Sequence, residues 1–205
     1  MPKTGGMPFD FTAEVVLEDP RTRLSPLKVE HAEALALVIE QAPDLMRYSP
    51  SHFADAAGLR EYITQALTAR ARQERYPWVI WDKQAQRYVG STSYGAVSNL
   101  HRRLEIGWTW LDPAVQRTGL NRHNKYLMLH YAFETLGFAR VELKTDGRNQ
   151  QSRQAMEAMG ATYEGALRSH TIMADGYRRD TAYYSILAEE WPAVKQQHFA
   201  RQSAG

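Results

Sequence analysis

The chain has 205 residues and a mass of 23.4 kDa, with 25 basic and 23 acidic side chains, so that its formal net charge at pH 7 is +2. This length suits one compact domain that buries a core without disulfides or a structural metal. The near balance of charge disfavours a dedicated duplex-binding protein, and the lack of cysteine excludes disulfides, thiolate metal ligands and a cysteine nucleophile.

The first residues carry no apolar segment typical of a signal peptide, and no run reaches the roughly 20 apolar residues of a membrane helix. We therefore expect a cytoplasmic protein without a membrane partner. Residues 1–13 contain glycine and proline in no periodic pattern, which predicts a flexible arm. Residues 14–200 are expected to form a single domain.

Apolar residues at period two predict strands, and apolar residues at helical spacing predict helices. The first half is predicted to contain strands at 15–18 and 22–27, helices at 30–42 and 55–72, and strands at 78–81, 87–94 and 104–111. The second half is predicted to contain a helix at 122–136, a strand at 139–144, a helix at 152–159, strands at 163–166 and 181–187, and a helix from residue 189. This order predicts an α/β (α+β) fold, in which a mixed, mostly antiparallel, twisted sheet of about seven strands carries helices on both faces.

The first segment with chemical potential joins the strand at 104–111 to the following helix through Gln116-Arg117-Thr118-Gly119-Leu120-Asn121. A strand, a glycine-bearing loop and a helix start together present free backbone N–H groups to an anion. The segment matches neither the nucleoside-triphosphate loop nor the dinucleotide fingerprint. Ordinary turn chemistry would also explain its single glycine.

Three later segments extend the pattern. In Asp146–Ala155, Asn149 is a good helix cap and Ser152 falls in the first helical turn, and capping alone would explain both residues. The others are Gly160–Arg168, which includes Glu164-Gly165, and the run Asp175-Gly176-Tyr177-Arg178-Arg179-Asp180-Thr181, followed by Tyr183–Leu187 and Glu190-Trp191.

In this order and spacing, the segments resemble the Gcn5-related N-acetyltransferases (GNAT), and more narrowly their RimJ/RimL-type branch, which includes ribosomal-protein N-terminal acetyltransferases. The resemblance covers Thr22 to Trp191. It includes Arg23-Leu24-Ser25-Pro26-Leu27, similar to the opening strand of that branch, and Glu105-Ile106-Gly107-Trp108, similar to its fourth-strand segment.

The resemblance implies a GNAT fold with an acetyl-CoA cleft between two splayed central strands. Backbone groups near Trp110 and Leu111 would bind the pantetheine arm, and Asn149 would contact it or fix a water molecule. The pyrophosphate would be bound by the amides of Gln116, Arg117, Thr118, Gly119, Leu120 and Asn121. Ser152 matches the position where RimL-type enzymes place a hydroxyl near the departing sulfur of coenzyme A.

The sequence departs from the family at three places. Asn121 replaces the last small residue of the phosphate loop; asparagine tolerates positive φ, and it would equally serve as a helix cap. Met156 stands where many acetyltransferases of the superfamily carry a general-acid tyrosine. The stretch from Glu105 to Gln116 is one residue longer than in most relatives, which suggests a bulge through Trp108-Thr109-Trp110.

The implied reaction is direct attack of a neutral primary amine on the thioester. Glu105 is the candidate base that accepts the amine proton, although it would also pair structurally with Arg102, Arg103 or another cation. The proton donor to the leaving thiolate would be Ser152 or a water molecule, and the alternative role of Ser152 is at the helix start. A backbone N–H of the central strand would stabilise the oxyanion.

The acceptor is expected to be a protein or peptide N-terminus or a small amine-containing metabolite. Its binding wall is expected to contain aromatic and cationic residues, namely Arg47, Tyr48, His52, Phe53, His170, Tyr177 and Arg178. Such a wall favours a peptide N-terminus or a small amine that carries a carboxylate over a polyamine. His101, His123, His130 and His170 lack metal-ligand spacing, so no metal is expected.

Two other classes of function stay open at this point. A non-catalytic acetyl-CoA-binding sensor or interaction module is compatible with Asn121 and Met156. An RNA-binding protein is disfavoured by the balanced charge and by the lack of an aromatic RNA-binding consensus, so no nucleic-acid partner is expected. Relatives suggest a monomer or a homodimer.

Overall fold

The computed structural model describes residues 6–51 and 53–203, and within them the chain forms eight strands and five α-helices. The strands are β1 (Leu17–Glu18), β2 (Thr22–Pro26), β3 (Arg75–Asp82), β4 (Arg87–Ser98), β5 (Arg103–Leu111), β6 (Arg140–Asp146), β7 (Thr162–Ile172) and β8 (Arg178–Leu187). The helices are α1 (His31–Gln41), α2 (Ala56–Ala71), α3 (Leu120–His130), α4 (Gln150–Glu157) and α5 (Trp191–His198). A π-helical turn, Tyr131–Thr135, extends α3.

The strands form one mixed sheet in the order β1-β2-β3-β4-β5-β6-β8-β7, in which the β5–β6 pair is parallel and the other pairs are antiparallel. The expected mixed α/β sheet is thus confirmed, with eight strands instead of about seven. Both faces of the sheet are covered, as β3 shows: Trp78 and Ile80 pack in the core beneath α3 and α5, whereas Val79 packs with α1 and α2. This alternation follows from the two-residue period of a strand.

The prediction of a flexible arm over residues 1–13 is wrong for the segment that contains Phe9 and Phe11. Phe9 and Phe11 are buried, and their rings pack edge to face with centroids 5.1 Å apart. Phe9 also packs against Tyr76, with centroids 5.2 Å apart. Burial of two aromatic rings stabilises this segment through contacts with distant residues, which a local pattern does not reveal. Residues 1–5 lie outside the described residues.

The feature that shapes the centre of the sheet is the short pairing between β5 and β6. Only three residue pairs join them, beginning at Arg103 and Arg140 and ending at Glu105 and Glu142. Beyond Glu105, β5 stays paired with β4, and β6 stays paired with β8. The two parallel strands therefore diverge and leave a cleft between their carboxyl-terminal halves.

A bulge lies on β5 within this cleft, as the sequence predicts. Ser91 and Ser93 of β4 pair with Trp110 and Gly107, so two residues of β5 oppose one residue of β4. Trp108 takes a positive φ of 51°. The bulge bends β5 and increases its local twist, which helps it to separate from β6.

None of the helices within residues 6–51 and 53–203 is long and apolar enough to cross a membrane.

Gly90 on β4 allows the backbone of β5 to approach closely beside the bulge. A Cβ atom at Gly90 would lie 2.1 Å from the carbonyl oxygen of Trp110 and 3.1 Å from Cα of Leu111. We predict that Gly90→Ala lowers the free energy of unfolding by about 2 kcal/mol or more, because backbone atoms must move. Urea denaturation measures this change.

Gly147→Ala is the matched control, because the nearest atom to its Cβ would be the Asp180 carbonyl oxygen at 3.4 Å, an ordinary contact. We expect this control to cost less than about 1 kcal/mol. Equal losses in the two variants would contradict the close approach at Gly90.

Candidate active site

One wall of the cleft ends in a loop that is suited to an anion. Gly119, with φ of 90°, is the N-cap residue of α3, and no side chain caps the helix. A Cβ atom at Gly119 would meet no atom within 4 Å, so the space in front of the helix is open. The first turn of α3 has no acidic residue. Its free N–H groups and the positive end of the helix dipole can therefore bind a phosphate group.

The other residues of this loop are held by hydrogen bonds. The Thr118 hydroxyl donates to the Val115 carbonyl at 2.7 Å. The Gln116 side chain donates from Nε2 to the Leu111 carbonyl at 3.0 Å and accepts from Gln151. Arg117 takes a positive φ of 60°. The loop is thus fixed to the end of β5 and to the start of α4.

Asn121 fills neither of its two expected roles. The helix cap is Gly119, and the positive φ angles of the loop lie at Arg117 and Gly119. Asn121 is the second residue of α3, and its Oδ1 atom is buried without a hydrogen-bond partner among the described residues. Both expectations for Asn121 are wrong because the loop turns two residues earlier than they required.

Asn149 and Ser152 lie at the start of α4. Asn149 is the N-cap residue, and its Oδ1 accepts from the Ser152 backbone N–H at 3.1 Å. This bond confirms the predicted cap, and it leaves the Asn149 amide group and the Ser152 hydroxyl available to a ligand. Met156 is buried in the core beneath the same helix.

Glu105 lies at the floor of the cleft, where the pairing of β5 and β6 ends. Its Oε2 atom accepts from Nζ of Lys144 at 2.7 Å. The structural pairing of Glu105 is therefore with another cation, Lys144 of β6, and not with Arg102 or Arg103. The other oxygen, Oε1, faces Gly107, where a Cβ atom would lie only 3.0 Å away. Because Gly107 has no side chain, Oε1 is left uncovered.

Lys144 stays charged in this pair. Burial disfavours its ammonium group, but the hydrogen bond and the negative charge of Glu105 raise the pKa of Lys144 above its ordinary value. The ammonium also lies 4.9 Å from the centre of the Tyr183 ring. The cleft floor is thus a fixed carboxylate–ammonium pair with one free carboxylate oxygen.

The structure brings four of the seven residues predicted to form the acceptor wall into one cluster. Tyr48 accepts a hydrogen bond from Arg47 at 2.8 Å through its hydroxyl, and from Arg179 at 3.3 Å through its carbonyl oxygen. The Thr181 hydroxyl links Arg179 to His170, with distances of 3.1 Å and 3.0 Å. The fourth residue, Tyr177, joins through Arg148.

Arg148 is central to this cluster and was missed by the sequence analysis. Its guanidinium carbon lies 3.5 Å from the centre of the Tyr177 ring and 5.9 Å from that of Tyr48. It also donates to both oxygens of Asp146, at 3.1 Å and 2.8 Å. Burial would raise the pKa of Asp146, but the hydrogen bonds of Arg148 and the charges of Arg148 and Arg179 hold it below its ordinary value.

The remaining acceptor candidates lie elsewhere. Phe53 is buried, and its ring packs against Tyr62 and Trp110 at centroid distances of 4.7 Å and 5.6 Å, so it supports the wall from behind. The Arg178 side chain bonds to Ser169. His52 lies outside the described residues.

Lys125 is the second functional candidate that the sequence analysis missed. It lies in α3 with 4% of its surface exposed, and its ammonium donates to the Thr109 hydroxyl at 2.6 Å. Burial lowers its pKa to about 7. The feature of the sequence that could have identified Lys125 is its position one helical turn before Leu129, on the helix face predicted to be buried.

Among the described ranges, no group of three histidine, aspartate or glutamate side chains is arranged to hold a metal ion.

Comparison with known proteins gives consistent results. A family model described as Acetyltransferase (GNAT) domain matches residues 21–162. The crystal structure of a GCN5-related N-acetyltransferase from Brucella melitensis has a TM-score of 0.87 and 25% identity, over 98% of this chain and 90% of that chain. A provisionally named acetyltransferase structure from T. thermophilus has a TM-score of 0.81 and 34% identity, over 92% and 95% of the two chains. YdaF of Bacillus subtilis (strain 168), provisionally named a ribosomal N-acetyltransferase, is 30% identical over 52% of this chain and 57% of its own length.

The buried amine of Lys125 predicts a pH-dependent stability. The unfolded chain keeps a proton on Lys125 up to a pKa of about 10.4, whereas the folded chain loses it from about pH 7. Lys125 therefore destabilises the fold most below pH 7, and the penalty disappears as the pH rises toward 10. Relative to Lys125→Met, the free energy of unfolding of the wild type should rise by about 1.4 kcal/mol per pH unit in this window.

Urea titrations between about pH 7.5 and pH 9.5 measure the slope. Lys195→Met is the control, because Lys195 forms a partly exposed ion pair with Glu134 that raises its pKa. Its slope should equal that of the wild type. A Lys125→Met slope that also equals the wild-type slope would contradict a neutral Lys125 in the fold.

Proposed function

The chain belongs to the GNAT acetyltransferase family, and from this premise we propose that it transfers the acetyl group of acetyl-CoA to a primary amine. The observation that carries the proposal is the cleft between β5 and β6, which leads from the uncapped start of α3 to the free oxygen of Glu105. In this proposal, the binding site for a phosphate-bearing thioester and the candidate proton acceptor would lie at opposite ends of one opening.

The residues along the cleft fit acetyl-CoA. The backbone amides of Gln116–Asn121 would bind the pyrophosphate, for which Gly119 leaves open space. Backbone groups of Trp110 and Leu111 would bind the pantetheine arm along the edge of β5 that β6 leaves unpaired. The Asn149 amide group would contact the arm from α4. In this orientation the thioester lies beside the bulge of β5.

The amine would attack the thioester carbonyl directly. Glu105 would accept its proton through Oε1, since Lys144 engages Oε2 alone. A backbone N–H of the bulged segment would stabilise the oxyanion as the carbonyl becomes tetrahedral. The carbon–sulfur bond then breaks. The Ser152 hydroxyl would donate its proton to the thiolate and regain one from solvent, to which Glu105 releases the amine proton, so that one proton moves from nitrogen to sulfur overall; the Met156 side chain has no proton to donate.

The acceptor wall favours an amine that also carries a negative charge. Arg47, Arg148 and Arg179 supply three cations, and Asp146 and Asp175 near Arg148 supply two carboxylates, so the cluster keeps a net positive charge. A net positive pocket repels a polyamine and attracts a carboxylate. We therefore assign the acceptor as a peptide N-terminus with acidic residues or an amino acid. The name of YdaF and the RimJ/RimL-type motifs favour the peptide.

Turnover is best measured as thiol released from acetyl-CoA across peptides, amino acids, polyamines and aminoglycosides; the chain has no cysteine and adds no thiol background. We predict that Glu105→Gln lowers kcat/KM by about 10²-fold or more, because the amine proton loses its acceptor. The matched control is Glu18→Gln, since Glu18 forms an ion pair of the same 2.7 Å length with Lys83 on the far edge of the sheet. It should keep wild-type turnover.

The same assay tests Ser152. Its backbone N–H makes the capping bond, so Ser152→Ala removes the hydroxyl and keeps the cap. We expect a fall in kcat of about tenfold or more at unchanged stability. If wild-type protein binds acetyl-CoA and acetylates none of the acceptors, the protein is a binding module and the enzymatic proposal fails.

The acceptor assignment predicts a change in KM. Arg148→Met should raise KM for carboxylate-bearing acceptors by about tenfold, with a smaller effect on kcat, because it removes a binding cation and leaves Glu105 in place. The corresponding amide acceptors should show little change. Arg60→Met, on the exposed face of α2, is the control. An equal rise in KM for both kinds of acceptor would contradict charge recognition by Arg148.

A further inference from the structure

Lys125 has an ammonium group with no counterion. It is almost completely buried, its hydrogen bond goes to the Thr109 hydroxyl, and among the described residues no carboxylate forms an ion pair with it. Lysine side chains are almost never fully buried unless they are paired. By contrast, Lys144 in the same cleft has Glu105 at 2.7 Å. The missing partner of Lys125 is therefore a specific property of its position.

The Lys125 ammonium is linked to the cleft by its hydrogen bond to the Thr109 hydroxyl. This residue belongs to the bulge and is exposed where β5 no longer pairs with β6. Its hydroxyl lies 2.8 Å from the hydroxyl of Thr92, which in turn contacts Met128 of α3. The neighbouring side chain, Trp108, points instead toward Arg75, whose guanidinium carbon lies 4.9 Å from the ring. Thr109 thus lies at the side of the cleft next to α3, and the Lys125 ammonium lies directly behind its hydroxyl.

This position coincides with the acyl end of the bound thioester, if the proposed function is correct. The pantetheine amide would bind at Trp110 and Leu111, and the sulfur lies about 4 Å beyond that amide nitrogen. A strand advances about 3.3 Å per residue, so the sulfur falls roughly one residue closer to Glu105, at Thr109. The acyl chain attached to the sulfur would then lie against Lys125.

We propose that Lys125 binds the free carboxylate of an acyl chain, so that the cleft accepts CoA monothioesters of dicarboxylic acids, such as malonyl-CoA and succinyl-CoA, in addition to acetyl-CoA. This inference rests on the proposed function, since it uses the same cleft. The terminal carboxylate supplies the counterion that the fold lacks, whereas the methyl group of an acetyl chain supplies no charge.

The reaction itself is unchanged. The acceptor nitrogen forms a bond to the thioester carbonyl carbon, the carbon–sulfur bond breaks, and the amine proton ends on the thiol of coenzyme A. The distal carboxylate stays ionised and takes no part in bond making. Lys125 acts as a specificity residue and is not itself acylated.

The test compares succinyl-CoA with butyryl-CoA, which has the same number of acyl carbons and no charge at its end. Isothermal titration calorimetry at about pH 6.5 should show succinyl-CoA binding at least about tenfold more tightly to the wild type. In Lys125→Met, the ratio of the two Kd values should fall to about 1. Lys195→Met, which removes a lysine of α5 outside the cleft, should keep the wild-type ratio.

The ratio of Kd values separates charge recognition from a general loss of binding, and Lys125→Gln replaces Lys125→Met if the latter does not fold. Acetyl-CoA is titrated in parallel. The role of Lys125 is overturned, while the proposed function stands, if acetyl-CoA binds but the wild type shows no preference for succinyl-CoA over butyryl-CoA. The same conclusion follows if Lys125→Met keeps the preference. Covalent acylation of Lys125, detected by mass spectrometry, would also overturn it. If no thioester binds, both proposals fail.

Discussion

The candidate site depends on one constraint: β5 and β6 are parallel neighbours that pair over only three residues. Each strand is held by its other neighbour, and the bulge at Trp108 turns β5 away, so a cleft opens within the sheet and not at its surface. The strands that line it end at the starts of two helices. The polar N-termini of α3 and α4, and the carboxylate of Glu105 at the closed end, therefore face one narrow space.

Charge is distributed unevenly around this space. At the floor, the charges of Glu105 and Lys144 compensate each other. At the acceptor wall, Arg148 and Arg179 keep the buried Asp146 ionised, and the positive charges there outnumber the negative ones. On the α3 side Lys125 is buried without a counterion, so its charged form, which is populated below about pH 7, costs stability unless a ligand provides a negative charge. The three environments suit three parts of a reaction: proton acceptance, acceptor recognition and acyl recognition.

The sequence predicted those features that depend on local patterns. Helix α2 was expected over 55–72 and covers Ala56–Ala71, and the Asn149 cap and the β5 bulge were also found where expected. It did not predict contacts between distant residues: Phe9 packs against Tyr76, and Arg148 stacks on Tyr177. Lys125 was missed because a lysine on an apolar helix face is ordinarily assigned to solvent by its residue type, and only the fold shows that its ammonium is enclosed.

Both proposals require that acetyl-CoA binds between β5 and β6, with its pyrophosphate at the start of α3. Peptide-level hydrogen exchange with and without acetyl-CoA tests this most directly, because it reports protected backbone amides without requiring the acceptor. We expect slower exchange in three segments: residues 106–111, the loop Gln116–Asn121 and the start of α4. Unchanged exchange in these segments, or protection confined to another part of the sheet, would contradict it.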